Sequence, residues 1–426
     1  MVLIVFTASL LGTMAIGMRI AFALLISGIA VMYYIDLFDA QIVAQNVING
    51  ADSFPLLAVP FFMLAGEVMN VGGLSKRLVN LALTLVGHVK GGLGYVAILA
   101  AIFLAALSGS AVADAAALSA LLVPMMVRAG HSKAHAGGLI AASGIIAPVI
   151  PPSIGFVVFG VVGGVSITKL FLAGIVPGLL LAIGVAIAWW WVVRKETIES
   201  PPRQSGREIV RALVDGIWAL ILPAIVLFGL KFGVFTPTEA GVVAAVYALF
   251  VAVFVYRELK LSELYAVFVS AALTTSVVMF LVAAALVSSW LITVSEVATM
   301  LVDLLEPLMN SQTLLLLAIM ALVVIIGTAM DMTPTILILT PILMPVIKAA
   351  GIDPVYFGVL FIVNNAIGLI TPPVGTVLNV VAGVSKISMD DIMKGVWPFM
   401  LAQLVVLFLM VVFPELVTVP ARWLGG

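Results

Sequence analysis

Cysteine is absent from this 426-residue chain, which excludes a disulfide framework, a thiolate nucleophile and a thiolate metal site. Charge is scarce: only 9% of residues carry one, against 64% that are hydrophobic. So little polar surface cannot coat a soluble fold of this length. At a mean hydropathy of +1.32, apolar runs long enough to cross a bilayer recur throughout, and the chain reads as a polytopic membrane protein. A net charge of −1, with no basic run carrying interleaved aromatics, offers nothing to nucleic acid. The three histidines, His88, His131 and His135, fall in expected cytoplasmic loops and read as solvated, so no histidine proton relay lies within a span. There is no His-Glu-x-x-His, no Gly-x-Ser-x-Gly and no aspartate pair with a shared site, which argues against an intramembrane enzyme. The apolar start, 2–18, has no basic n-region and reads as a retained span rather than a cleaved signal.

What the chain does have is an internal repeat. Pro124, Gly130, Gly137, Pro151, Pro152, Gly174 and Pro177 recur as Pro345, Gly351, Gly358, Pro372, Pro373, Gly395 and Pro398, each 221 residues later. Pro and Gly otherwise damage a helix interior, so their agreement marks one structural unit used twice. Corresponding Gly/Pro interruptions in two halves are what a secondary transporter shows where broken helices meet at its binding site.

Spans are expected near 2–18, 20–35, 54–72, 136–164, 166–193, 217–235, 237–256, 262–293, 354–384 and 390–414. Segments 93–128 and 313–349 are each too long for one span and are interrupted centrally, by Ser108-Gly109-Ser110 and by Gly327-Thr328-Ala329-Met330-Asp331. That pattern suits re-entrant hairpins, because irregular backbone at membrane depth is tolerated only inside protein or beside a water-filled cavity. Five spans separate the hairpins, so they enter from opposite faces and the repeats are inverted. An N-terminus outside puts fifteen of the nineteen Lys and Arg residues on the cytoplasmic side. Segments 75–90 and 295–309 read as amphipathic helices in the interface plane, and 196–212 as a soluble cytoplasmic linker. The expected division is an N-terminal scaffold over residues 1–92, a first repeat core 93–195, a linker 196–216, further scaffold with a second interfacial arm 217–312, and a second repeat core 313–426.

Ser108 and Ser110 place two hydroxyls where the first hairpin turns, facing the break between Gly144 and Pro152. Such a turn frees carbonyl oxygens of the kind that hold hard cations such as Na⁺ at discontinuous helices; close helix packing by small residues is the alternative. The second tip carries Thr328, Asp331, Thr333 and Thr335, facing Asn364, Asn365, Gly368 and Thr371. An aspartate at bilayer depth costs about 2.5–3.5 kcal/mol on insertion scales, so Asp331 needs a role: cation ligand, acceptor for substrate hydroxyls, or helix N-cap. Asp114 is a second intramembrane carboxylate, equally readable as a first-turn acid favoured by the helix dipole, and Glu67 reads as structural. No Lys or Arg falls near either tip, so an anionic solute would draw on helix N-termini, hydroxyls and co-bound cations. Thr236-Pro237-Thr238-Glu239 reads as a capping box without chemistry, and Trp189-Trp190-Trp191 as lipid-facing or interfacial.

Phe54-Pro-Leu-Leu-Ala-Val-Pro-Phe-Phe-Met-Leu-Ala-Gly-Glu67, Ser108-Gly-Ser-Ala-Val-Ala-Asp114, Ile150-Pro-Pro-Ser153, Thr236-Pro-Thr-Glu-Ala240, Met330-Asp-Met-Thr-Pro-Thr335 and Thr371-Pro-Pro373, in this order, resemble the large membrane subunit of tripartite ATP-independent periplasmic (TRAP) transporters. The likeness covers essentially the whole chain. It implies an all-α polytopic fold of inverted repeats with two re-entrant hairpins, working as a sodium-driven elevator importer in the bacterial inner membrane. It implies two partners, a small four-span membrane subunit and a soluble periplasmic solute-binding protein that delivers a carboxylate substrate, and two or more Na⁺ as coupling ions. By the same resemblance, Ser108 with the backbone at Gly144, Val149 and Pro151 would hold one Na⁺, and Gly327 and Thr328 with Gly368 and Thr371 a second. Ser110, Ser153 and Asp331 would face the substrate, with Asn365 beside them. Asn49-Gly-Ala-Asp-Ser53 and Gly72-Gly-Leu-Ser-Lys76 bring the chain nearer to the sialic acid and 2,3-diketogulonate members than to the C4-dicarboxylate type. No small-subunit-like segment precedes Met1, so the unfused form is expected. A self-sufficient sodium/dicarboxylate symporter, which needs no binding protein, is the alternative.

Overall fold

The computed structural model describes residues 1–194, 202–295 and 297–425; the stretch 196–201 of the expected linker and Glu296 of the second interfacial segment lie outside the described residues. Every regular element among them is helical. The first half runs α1 Val2–Ala15, α2 Ile20–Tyr34, α3 Ala40–Ala51, α4 Ala58–Val71, α5 Leu74–Val86, α6 Gly92–Ser108, α7 Ala111–Arg128, α8 Lys133–Gly144, α9 Ile154–Gly163 and α10 Ile167–Val193. The second runs α11 Gly206–Lys231, α12 Pro237–Phe250, α13 Leu264–Val294, α14 Val297–Met309, α15 Gln312–Gly327, α16 Met332–Ala349, α17 Pro354–Gly368, α18 Thr376–Ser385, α19 Met389–Val412 and α20 Glu415–Gly425. Eight helical stretches among the described residues are long and apolar enough to cross a membrane.

The repeat governs the element boundaries. Adding 221 to the bounds of α7 gives 332–349, the bounds of α16. The same shift carries α6, α8, α9 and α10 onto α15, α17, α18 and α19 with small differences at the ends. The repeats also exchange partners: α7 of the first hairpin packs on α18, and α16 of the second packs on α9. Where α8 crosses α19, a Cβ on Gly395 would overlap the Ala134 carbonyl and one on Gly138 would overlap Gly395 itself. Small residues alone permit backbones this close, the usual basis of helix association where lipid removes the hydrophobic drive. Buried Gln403 of α19 secures the crossing by donating its Nε2 to the Ala142 carbonyl at 2.9 Å.

Around this core stand α1 to α5 and α11 to α14. Helix α13 touches α2, α3, α4 and α16; its 31 residues reach about 46 Å, beyond a hydrocarbon core of about 30 Å. Helix α4 lies against α12, and α11 against α5. Glu67 of α4 accepts a hydrogen bond from Ser270 of α13 at 3.1 Å, in keeping with its structural reading. The capping box is formed as expected: the Thr236 hydroxyl accepts from Glu239 N at 3.3 Å and the Glu239 carboxylate from Thr236 N at 2.8 Å.

The breaks expected in segments 136–164 and 354–384 are present, each segment forming two short helices separated at its Pro-Pro pair. Several expectations elsewhere are corrected. Helix α11 starts at Gly206, inside the expected linker, because Ser205 and Glu208 form a second capping box. Helices α3 and α20 have no counterpart among the expected elements: both are short and amphipathic, without the length of a span, and pack along α13 and α10. Trp189 is fully buried and donates to the Gly91 carbonyl at 2.8 Å, whereas Trp190 and Trp191 are exposed. His131 is buried, with its ring centroid 5.1 Å from that of Trp189, and His135 lies within α8; neither is a solvated loop residue.

Candidate functional site

The first hairpin turns at Gly109, whose φ of +59° favours glycine. A Cβ there would also stand 2.6 Å from the Pro152 carbonyl, so the tip lies directly against the break that follows α8. Ser110 is the N-cap of α7, its hydroxyl accepting from Ala113 N at 3.4 Å. The Ser108 hydroxyl accepts from Ser110 N at 3.2 Å and donates to the carboxylate of Asp114. Asp114 is buried in the first turn of α7, and its Oδ2 has no hydrogen-bond partner. Gly144, at the end of α8, lets the break approach this arm; a Cβ there would meet the Ala115 methyl at 2.7 Å and the Ala111 carbonyl at 3.2 Å. Val149 and Pro151 continue the break as buried residues. Ser108, Gly144 and the 149–151 backbone thus gather around one tip.

The second tip repeats this arrangement with different residues. Gly327 meets Gly368: a Cβ on Gly368 would lie 2.9 Å from the Gly327 Cα. The Thr328 carbonyl accepts from Gly375 N at 3.4 Å, and its hydroxyl donates to the Ile325 carbonyl at 2.7 Å. Thr371 donates to the Ile367 carbonyl at 2.8 Å. Asp331 occupies the N-cap position of α16 but makes no side-chain cap hydrogen bond and is exposed. Of the roles open to Asp331, side-chain capping is the one not realised here, since no α16 amide donates to its carboxylate.

Both tips open on one cavity of about 630 Å³, whose wall includes Ser110 and Asp331, positions equivalent under the 221-residue shift. The first residues of α7, α9 and α16, at Ala111, Ile154 and Met332, also line it, so three positive helix ends converge there. No Lys or Arg is among its described lining residues. The opposite wall is a stripe of α13 with Leu273, Thr274, Val277, Val278 and Leu281. Thr274 is not among the residues the sequence singles out; the polar run Thr274-Thr275-Ser276 within an apolar span was the available signal. Two expected substrate-facing residues stand behind the wall. Ser153 is fully buried, donating to the Pro148 carbonyl and accepting from Phe156 N at 3.3 Å as the N-cap of α9. Asn365 is fully buried and donates to the Met332 carbonyl at 3.1 Å, leaving its Oδ1 without a partner. They shape the loops that line the cavity and do not open on it.

Paired broken helices, two hairpins tip to tip and a cavity between them define a multi-pass membrane transporter. Solved structures with this fold include the YdaH transporter of Alcanivorax borkumensis, with a TM-score of 0.64 at 16% identity over 91% of this chain and 90% of that one. MtrF of Neisseria gonorrhoeae gives 0.60 at 12% identity over 87% and 83%. The family model described as the tripartite ATP-independent periplasmic transporter, DctM component, matches residues 7–416, and the chain belongs to that family. The 2,3-diketo-L-gulonate TRAP transporter large permease protein YiaN of Escherichia coli K12 is 55% identical over the full length of both chains. The sialic acid TRAP transporter large permease protein SiaM of Vibrio cholerae is 38% identical over 97% of each. The C4-dicarboxylate large permease DctM of Pseudomonas aeruginosa is 37% identical over 90% of each. The protein is accordingly a transporter component and not an enzyme.

Proposed function

We propose that this chain is the translocation subunit of a sodium-coupled importer of a carboxylate solute, an acid sugar, in the bacterial inner membrane. A periplasmic solute-binding protein delivers the solute and a small four-span subunit completes the membrane complex. The observation that carries the reading is the shared cavity: Ser110 and Asp331 line it from symmetry-equivalent tips, at three helix N-termini and with no lysine or arginine among its described lining residues. Helix ends and the Ser110 hydroxyl suit a carboxylate, whereas Asp331 suits the hydroxyls of a polyol, a division that fits a sugar acid better than a dicarboxylate. The negative charges left over call for co-bound cations. The oxygens at the two tips, around Ser108, Gly144, Val149 and Pro151 and around Gly327, Thr328, Gly368 and Thr371, would take two or more Na⁺ ions as cargo. In an elevator cycle α6 to α10 and α15 to α19 would carry the cavity past α13 and the surrounding scaffold. Similarity to the 2,3-diketo-L-gulonate permease, 55% identical over the full length of both chains, supports the acid-sugar class.

Uptake by proteoliposomes tests this. Labelled 2,3-diketogulonate, sialic acid and succinate are offered with and without the binding protein and an inward Na⁺ gradient. Acid-sugar uptake that needs both is expected, and it should be electrogenic, since each net charge moved gains about 2.3 kcal/mol per 100 mV. Undiminished uptake from Na⁺-free medium, driven by a pH gradient, would overturn the coupling.

A further inference from the structure

A second and larger cavity, about 820 Å³, lies away from the hairpin tips at the junction of α5, α7 and α11. Three helices present a stripe to it: Leu83 and Thr84 on α5, Met125 and Arg128 on α7, and Glu208, Arg211 and Asp215 on α11. The α11 residues fall at i, i+3 and i+7, one face of a helix, so their common direction follows from the sequence. Its charges are of both signs and are not spent on one another: Arg128, Arg211 and Asp215 form no ion pair among the described residues. His88, in the turn after α5, also lines the cavity, and its Nδ1 is buried without a hydrogen-bond partner. The buried imidazole nitrogen lacking a protein partner points to an absent ligand, and Arg128 and Arg211, exposed and in no ion pair among the described residues, are free to meet one. The remaining wall, Leu83, Leu93 and Met125, is apolar.

We infer that this cavity holds the headgroup of a zwitterionic phospholipid with a primary amine, a phosphatidylethanolamine. Arg128, Arg211 and His88 would take the phosphate, guanidinium being the side chain suited to it. Asp215 and the carboxylate of Glu208 would take the ammonium group, and the apolar wall would take the upper acyl chains. A lone anion matches poorly, because two carboxylates share the site. A choline headgroup also matches poorly, because its methylated nitrogen has no N–H to donate. Arg128 closes α7, His88 follows α5, and Glu208, Arg211 and Asp215 occupy the first three turns of α11; the distribution of Lys and Arg assigns these ends to the cytoplasmic side, the depth of a headgroup. The lipid would bridge α5 and α11 to the first hairpin arm.

Native mass spectrometry of the full chain, delipidated in detergent and titrated with defined lipids, is the test. One phosphatidylethanolamine should be retained per chain, with phosphatidylcholine and phosphatidylglycerol each retained about tenfold more weakly, and inorganic phosphate should not compete. The Arg128→Gln/Arg211→Gln variant should lose retention by about tenfold or more, the factor given by about 1.4 kcal/mol. Asp215→Asn should abolish the preference for ethanolamine over choline while still binding a lipid, which keeps the proposal open to refutation should the double variant fold poorly. Equal retention of the three lipids, displacement by phosphate alone, or unchanged binding in both variants would overturn it. None of these outcomes depends on which solute is transported.

Discussion

Asp331→Asn separates a transport role from a structural one. In the structure the Asp331 carboxylate is exposed, lines the cavity and makes no cap hydrogen bond, so neutralising it breaks no side-chain hydrogen bond or ion pair among the described residues. The only stabilising term lost is its attraction to the positive end of α16, about 0.3–1 kcal/mol, and amide and carboxylate have nearly the same volume. The melting temperature should therefore fall by no more than a few degrees. If the carboxylate accepts hydrogen bonds from solute hydroxyls, transport loses a charge-assisted bond of about 1.5–3 kcal/mol. That corresponds to roughly tenfold to a hundredfold in uptake at limiting solute. The assay is paired: thermal unfolding in detergent, and initial uptake in proteoliposomes with the binding protein. A variant as active as the parent would refute the placement of solute at Asp331. One that unfolds far below the parent would refute the claim that the side chain has no structural role.

Ser108→Ala should destabilise the protein by about 1–3 kcal/mol, because it removes the hydroxyl that donates to buried Asp114, and it should raise the Na⁺ concentration for half-maximal uptake. Melting curves and Na⁺ titrations read the two effects, and a change in neither counts against both roles. Ser110→Ala, in contrast, should mainly weaken the apparent affinity for solute, with the Na⁺ dependence retained, as competition curves at fixed Na⁺ would show. Gly395→Ala should lower the yield of folded protein sharply, since its Cβ would overlap the Ala134 carbonyl, whereas Gly383→Ala, with nothing within 4 Å, should be tolerated; size-exclusion profiles compare them. Trp189→Phe should cost about 1 kcal/mol or more through the lost hydrogen bond to Gly91, measured by thermal unfolding.

The repeat was legible because Pro and Gly are costly inside helices, so seven coincident positions could carry the register of ten helices. Hairpin tips were legible for the same reason: Ser108-Gly109-Ser110 and Gly327 to Asp331 are polar interruptions of apolar runs. What stayed hidden was set by tertiary context. Trp189 looks like its neighbours in the sequence, and only the closeness of Gly91 and Gly94 makes it a core residue. Ser153 at the end of one break and Asn365 in the last turn of α17 carry the right chemistry close to the site, but which way their side chains point depends on tertiary packing that spacing does not encode. Thr274 belongs to the site through the packing of α13 across the tips, a long-range contact with no local signature.

The central claim is that the cavity between the hairpin tips is the solute site and is reached from each side of the membrane in turn. The natural absence of cysteine allows a direct measurement with a single Thr333→Cys substitution, since Thr333 lines the cavity without an assigned contact to ion or solute. Oriented vesicles are treated with a membrane-impermeant maleimide from one face or the other, with and without Na⁺ and solute. The account predicts modification from both faces and slowing of both reactions when Na⁺ and solute are present together. Modification from one face only, or rates indifferent to Na⁺ and solute, would contradict it.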